Sequence, residues 1–529
     1  MRTVPSGDRP GSSTLDIRLQ PTDVSEAHHQ GQFSGSRLLA RNVVLSLLSQ
    51  VLPAVAAVFS IPILASFLGP ERLGILTLAW LVVGYFSFFD LGLGRALTQV
   101  VAARLPTPQA ASLPGIIWTA WASLGVVGLP PAIGVAVSAD AIARVLSVPE
   151  SLHDETRLSL YVLAAAIPLL TLAAGTRGVL EAMQRFDLVA TVRTPAAAFT
   201  YLGPVLVLPF SRSVVAPIVV LVIARAVVAV AFLLMCLRAL PMLRGAAHLR
   251  LRFLRELASS GFWMTVASVV GTLIAVSDRL VIGAMLSVAA VAYYATPQEL
   301  ITKLMVVPMA FGTVMFPAFS ALAESNRAGQ TRLFSKTIFH VYLTLFPITI
   351  VGAAFAPELL QIWLGQDFAR ESAPVARLFC GGVLLLGLGV IPNGLLQARN
   401  MAWVTAVLQC IELPVYIVAL WWSTGRFGIV GAAAIWVLRL ALDAATLFQC
   451  SQPLLSGDAR QLRSTVAKMG ILTIAAFAAV SGFDSMMVRA TLLGVIVIGL
   501  AAALPTLTDA ADRAWVVGLC RRLIGRART

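Results

Sequence analysis

About fourteen stretches of roughly twenty apolar residues follow one another between residues 39 and 507, each long enough to cross a hydrocarbon layer as a helix. Inside a bilayer every backbone N–H and C=O must be satisfied within the chain, so successive spans of this kind fold as a bundle of helices. Composition agrees: 58% of the 529 residues are hydrophobic and 12% are charged. That excludes a soluble domain and a disordered chain. The expected spans are 39–67, 74–95, 114–137, 158–180, 189–210, 214–238, 261–286, 291–322, 338–364, 374–398, 403–423, 428–450, 467–482 and 490–507. Several contain proline, such as Pro62, Pro168 and Pro308, which neighbouring helices accommodate within a membrane bundle.

The formal charge is +14. Its basic residues sit between spans rather than on one face, so nucleic-acid binding is a poor account and membrane orientation a better one. Arginines gather in alternate loops, among them Arg244, Arg250, Arg252 and Arg255, while the intervening loops carry singles or pairs such as Arg144 and Arg426. Both termini are therefore expected in the cytosol. The expected organisation is a disordered cytosolic tail (1–36), a six-helix lobe (37–238), a basic cytosolic linker (239–260), a second six-helix lobe (261–450), and two extra helices with a basic tail (451–529). The start shows no cleavable signal peptide. Five cysteines without CxxC spacing, and His28–His29 within the polar tail, give no reason to expect a metal or other cofactor.

Two spans carry an arginine at the same internal position. Aligning Arg225 of VVAPIVVLVIARAVVAVAFLLMCL (214–237) with Arg439 of IVGAAAIWVLRLALDAATLFQC (429–450) also aligns Cys236 with Cys450. Each arginine lies about 11 residues into its span, or ~16 Å, near the bilayer midplane. A charge there costs about 2.5–3.5 kcal/mol even on insertion scales and normally faces a protein-lined or wet cavity. The pair suggests related halves around one cationic cavity, suited to an anion. Six spans per half give both halves one orientation, the parallel-repeat arrangement with a central site. Asp443, four residues after Arg439, is positioned to neutralise it, whereas Arg225 has no acid in its own span.

Other intramembrane charges are candidates for binding, ion coupling or gating. Glu299 and Lys303 share a helix face at i, i+4, and form either a self-neutralising pair or a substrate contact beside a proton relay. Asp90 and Arg95 flank LGLG near the cytosolic end of the second span. There Arg95 can snorkel, and Gly92 and Gly94 favour close helix packing. Asp278 and Arg279 are adjacent, point in different directions and lie near the outer end of the seventh span. Glu412 stands without an obvious partner before Pro414. Tyr293, Tyr294, Trp363, Trp421 and Trp422, near span ends, read as an interfacial aromatic belt.

The run FLGPERLGILTLAWLVVGYFSFFDLGLGRALTQVVA (67–102) resembles the first loop and second span of bacterial polysaccharide-export flippases. DRLVIGAMLSVAAVAYYATPQELITKLMVVPMAFGTVMFPAFSALA (278–323) is similar to their seventh and eighth spans. These proteins form the polysaccharide branch of the multidrug/oligosaccharidyl-lipid/polysaccharide exporter superfamily, which includes O-antigen and lipid II flippases. The resemblance implies an all-α polytopic protein of about fourteen transmembrane helices, with two six-helix lobes in a V around a central cavity. It further implies alternating access in the cytoplasmic membrane, with an undecaprenyl-diphosphate-linked oligosaccharide as cargo. Polysaccharide polymerase and export machinery would be its partners. On this reading Arg225, Arg439, Lys303, Arg95 and Arg279 bind substrate, and Asp90, Asp278, Glu299, Glu412 and Asp443 couple ions or gate.

Two other functions compete. A drug/cation antiporter of the same superfamily would favour an acidic cavity. A membrane glycosyltransferase or ligase would need catalytic acids or bases on a sizeable outer loop, and the longest here, 138–157, has about twenty residues, including Asp140, Glu150, Asp154 and Glu155. No Walker motif is present.

Overall fold

The computed structural model describes residues 21–85, 93–245, 262–399, 401–456, 459–483 and 485–507. It forms two units, residues 1–48 and residues 49–529. In the first, residues 21–48 are helical. The second holds the bundle. Its helices are α1 (Pro21–Tyr85, whose residues from 49 onward belong here), α2 (Leu93–Arg104), α3 (Leu113–Val137), α4 (Ala139–Val145), α5 (His153–Ala182), α6 (Phe186–Val207) and α7 (Val215–Ala239). After the linker come α8 (Phe262–Met285), α9 (Val288–Ile301), α10 (Val306–Ser325), α11 (Arg327–Ala354), α12 (Ala356–Leu364), α13 (Gln366–Ala398), α14 (Ala402–Ser451), α15 (Ala459–Ser481) and α16 (Met486–Leu507). Among the described residues eight helical stretches are long and apolar enough to cross a membrane. Two of them, Gln50–Gly84 and Trp403–Leu454, contain the bends at Gly69 and Gly428, and each bend separates two of the expected spans.

The bend in α1 follows from its sequence. Gly69 takes φ +73°, a left-handed conformation that glycine adopts freely, and Pro70 then starts the second arm with its fixed φ. The expected eighth span, 291–322, is not continuous. The α-helix stops at Ile301, a tight 3₁₀ turn occupies Thr302–Met305, and α10 resumes at Val306. Pro308 explains the break, because it cannot donate to the carbonyl of Leu304 and its ring crowds that turn.

Three of the four apolar cores among the described residues define how the bundle is joined. One gathers residues from both halves: Leu146, Val148 and Leu152 beside α4 and α5, with Ile282 of α8 and Val288 and Val291 of α9. It lies toward the end that carries the loops after α3, α6 and α8, here called the joined end. The other two are confined to single halves. Leu97, Ile117, Val179 and Cys236 form one from α2, α3, α5 and α7, and Phe334, Tyr342, Leu395 and Met469 form another from α11, α13 and α15. The first lies toward the opposite, split end, and the second runs from Phe334 near that end to Ala354 and Val480 near the joined end. Within the second unit two lobes thus share one core at the joined end and each holds apolar core of its own.

Two contacts make the joined end tight. A Cβ on Gly74 would lie 1.8 Å from the carbonyl oxygen of Val288, so only glycine lets α1 and α9 approach this closely. Pro62 leaves the carbonyl of Val58 without its helical donor. Trp363, at the end of α12, supplies one, its indole N–H donating to Val58 O at 2.7 Å. Behind Trp363, Glu358 of α12 is paired with the buried Arg489 of α16, which also donates to the carbonyl of Ala354.

The aromatic-belt expectation is corrected at Tyr294. It is fully buried, its ring stacks edge-on against Phe379, and its hydroxyl donates to Asp278 Oδ2 at 2.9 Å. Trp421 and Trp422 are exposed, as a belt requires. The close packing expected at Gly94 is present: its carbonyl oxygen would stand 3.1 Å from a Cβ on Gly178 of α5. Gly92, Asp90 and the side chain of Arg95 lie outside the described residues.

Candidate functional site

A cavity of about 720 Å³ lies between the lobes, lined from one side by α1, α5, α6 and α7 and from the other by α8, α9, α13 and α14. That is within the range of small-molecule sites, ~300–1,000 Å³. Tyr201, Leu170, Ile274 and Trp436 both line it and belong to the shared core, so this core forms its floor at the joined end. Six cationic side chains face it: Arg177, Arg193 and Arg225 from the N-terminal lobe, and Arg279, Lys303 and Arg439 from the C-terminal lobe.

Arg225 and Arg439 line this one cavity at matching depth. Arg225 is ten residues past the start of α7 and Arg439 eleven past the bend of α14, or ~15 and ~16 Å from the joined end. Their partners differ. An Arg225 NH2 group donates to Thr200 Oγ1 at 2.7 Å, and among the described residues it has no carboxylate partner. Arg439 pairs with Glu412 at 3.4 Å, and its guanidinium stands over the Tyr416 ring at 5.5 Å. Asp443 attracts Arg439 through space, as its i, i+4 spacing leads one to expect, but the direct ion pair is made by Glu412, which the sequence left solitary. Asp443 Oδ1 is buried with no hydrogen-bond partner among the described residues. The bend at Gly428 folds the two arms of α14 together and brings position 412 to position 439, which helical spacing alone does not reveal.

Glu299, Lys303, Arg279 and Asp278 form one network. Lys303 Nζ lies 2.7 Å from Glu299 Oε1, and Arg279 NH2 is 3.5 Å from Glu299 Oε2. Arg279 also donates to Gln298 Oε1 at 3.1 Å, and Gln298 Nε2 donates to Asp278 Oδ2 at 3.1 Å. Asp278 and Arg279 leave the backbone in different directions, yet Gln298 reaches both. Asp278 is 1% exposed and is held by Tyr294 and Gln298 behind the cavity wall. The network crosses between lobes: Tyr201 of α6 donates to Glu299 Oε1 at 2.5 Å, and Lys303 donates to Tyr201 Oη at 2.9 Å. Arg279 NH1 reaches the carbonyl of Thr77 in α1 at 3.5 Å.

Sequence reasoning missed Arg177, Arg193, Tyr201 and Gln409, all of which line the cavity. Arg177 and Arg193 read naturally as loop charges because both are near the end of a span. Arg177 lies five residues before the end of α5 and Arg193 seven after the start of α6, ~7 and ~10 Å inside. Arg177 pairs with Glu181 at 3.3 Å, and the charges of Arg177 and Arg193 repel each other. The available signal was depth: an arginine two turns inside a helix is no longer in a loop.

The geometry is that of a membrane cavity rich in cations. Residues 39–323, more than half of the chain, match the family described as polysaccharide biosynthesis protein. The chain belongs to that family. The chain is 27% identical over 409 residues to a Shigella flexneri protein named "Putative O-antigen transporter", covering 77% of this chain and 96% of that one. Its fold is also similar to that of the lipid II flippase MurJ in an inward closed conformation, with a TM-score of 0.68 at 9% identity over 87% of this chain and 98% of that one. A multidrug resistance MATE family transporter of the MOP superfamily, in an inward-facing conformation, matches with a TM-score of 0.63 at 14% identity, covering 78% and 97% of the two chains. The chain therefore has the helical fold seen in these transporters.

Proposed function

We propose that the protein is a flippase that carries an undecaprenyl-diphosphate-linked oligosaccharide from the inner to the outer leaflet of the cytoplasmic membrane for surface polysaccharide assembly. The observation that carries this reading is the cavity between the lobes, where six cationic side chains meet at and around the midplane. Guanidinium groups stay charged and present paired donors, which suits a diphosphate. Arg225, Arg439, Lys303 and Arg279 contact the polar head, and Glu299 and Glu412 serve coupling or gating. The lipid tail stays in the bilayer, while sugars longer than the cavity extend through the split end.

The basic loops support a reading with both termini and the linker 239–260 in the cytosol, and the split end with them. The described state then faces inward. Turning outward requires parting Leu146 and Val148 from Val288 and Val291, and breaking the Trp363–Val58 and Tyr201–Glu299 hydrogen bonds. Polymerase and export machinery would take the cargo on the far side. The drug/cation antiporter reading is weaker because the cavity is cationic, and a glycosyltransferase reading lacks a catalytic outer loop.

Deleting the gene tests this. Surface polysaccharide should disappear while the complete lipid-linked precursor accumulates on the inner leaflet. A missing or shortened precursor would instead place the protein in synthesis. Cysteine-labelling of the loop at Arg250 from outside intact cells would overturn the orientation.

A further inference from the structure

We infer that the cavity holds its cargo in one orientation, with the diphosphate on the N-terminal wall and the first sugars on the C-terminal wall. This rests on the flippase reading above and deepens it. The N-terminal wall offers donors suited to an anion. Arg177, Arg193 and Arg225 present guanidinium N–H groups, which donate and never accept, whereas phosphate oxygens of a diphosphate ester chiefly accept. Among the described residues that wall has three guanidinium groups and one paired carboxylate, Glu181, leaving a net charge of +2. A diphosphate carries the complementary charge and relieves the repulsion between Arg177 and Arg193. The three arginines rise as steps from the split end toward Arg225, a path that one anion can climb.

The C-terminal wall is arranged differently. Each of its cations already faces a carboxylate: Arg279 and Lys303 face Glu299, and Arg439 faces Glu412. A diphosphate there would have to compete with those carboxylates. What this wall leaves is a mixed set of buried atoms without hydrogen-bond partners among the described residues. At the cavity lining Gln409 Oε1 accepts and Arg439 Nε donates, and behind them Asp443 Oδ1 accepts and Tyr416 Oη does either. A sugar hydroxyl both donates and accepts, so a run of hydroxyls satisfies such a set where a phosphate cannot. Gln409 and Arg439 line the cavity directly, beside the Trp436 ring.

Binding to the purified full-length protein in nanodiscs separates the walls. The two probes are undecaprenyl diphosphate and the native lipid-linked oligosaccharide extracted from the deletion strain. Arg193→Gln and Arg225→Gln should each weaken both probes about tenfold or more, the scale of a charge-assisted hydrogen bond. Gln409→Leu should leave undecaprenyl diphosphate unchanged and reduce the preference for the oligosaccharide by about threefold to tenfold. Arg193→Lys, which keeps the charge, should fall between wild type and Arg193→Gln. Each variant is compared at equal monodisperse yield, so misfolding is not read as lost binding. The assignment is overturned if Gln409→Leu weakens both probes alike, or if both arginine variants bind undecaprenyl diphosphate as wild type does. It is also overturned if phosphatidylglycerol in the nanodisc displaces that probe, since the wall would then hold a bilayer headgroup. Wild type binding neither probe would instead sink the flippase reading itself.

Discussion

Arg225 and Arg439 stand at the same depth on facing walls, ~15 and ~16 Å from the joined end, yet one reaches a hydroxyl and the other a carboxylate. The contrast extends to their neighbours. Among the described residues of the N-terminal wall, Arg225 bonds a hydroxyl and Arg193 feels only the through-space attraction of Glu181, which is already ion-paired with Arg177, while on the C-terminal wall Glu299 lies between two cations. Two walls with three cations each thus differ in the charge left for a ligand. The lesson is that counting intramembrane charges locates a cavity, but pairing decides which of its sides can receive an anion.

The largest effect that would sharpen this contrast is at Arg225. Arg225→Ala should lower export of surface polysaccharide more than about tenfold at normal membrane abundance, with Arg225→Lys intermediate because charge persists without the fork. Export by Arg225→Ala at the wild-type level would erase the distinction between the walls.

Next is the bridge between lobes. Glu299→Ala leaves Lys303 and Arg279 without their shared anion and removes the acceptor of Tyr201. It should cost about 1–3 kcal/mol, seen as a lower unfolding temperature in detergent. Tyr201→Phe should cost less, because the cation–carboxylate pairs remain. Equal melting of both variants and wild type would show that the network does not hold the lobes.

Arg439→Ala should reduce export less than Arg225→Ala does, because Glu412 already occupies that guanidinium. An equal loss would mean that the C-terminal wall also takes the diphosphate. The smallest expected effect is at the joined end. Trp363→Phe removes one interhelical hydrogen bond, on average worth roughly 0.6 kcal/mol in a membrane, so the outward-open population should rise about threefold. Double electron–electron resonance between spin labels on the two lobes reads that population, and an unchanged distance distribution would dismiss the latch.

Much of this was legible from hydropathy and spacing. The bilayer requires long apolar helices, so the spans stand out, and the cost of a midplane charge singles out Arg225 and Arg439. The i, i+4 rule found Glu299–Lys303, a contact inside one turn. What failed were contacts made by bends and by partner helices. Glu412 meets Arg439 only through the fold at Gly428, 27 residues of sequence apart. Tyr294 looks interfacial by its position near a span end, but α9 packs against α13 and buries it on Asp278. Arg177 and Arg193 were absorbed into loop counts because sequence gives the ends of a helix less sharply than its middle. Pro308 was the visible cause of the broken eighth span, and its consequence needed only the rule for a missing N–H.

The central claim is that the unpaired cations of the N-terminal wall receive the substrate, and paired double variants test it most directly. Arg193→Gln/Arg225→Gln removes two charges that make no direct ion pair among the described residues, whereas Glu299→Gln/Lys303→Gln removes one charge of each sign. Surface polysaccharide is measured in both strains, normalised to membrane abundance. The account predicts that the first loses export by about a hundredfold while its complete lipid-linked precursor accumulates, and that the second keeps a substantial fraction of export. Export preserved in the first strain and lost in the second would contradict it.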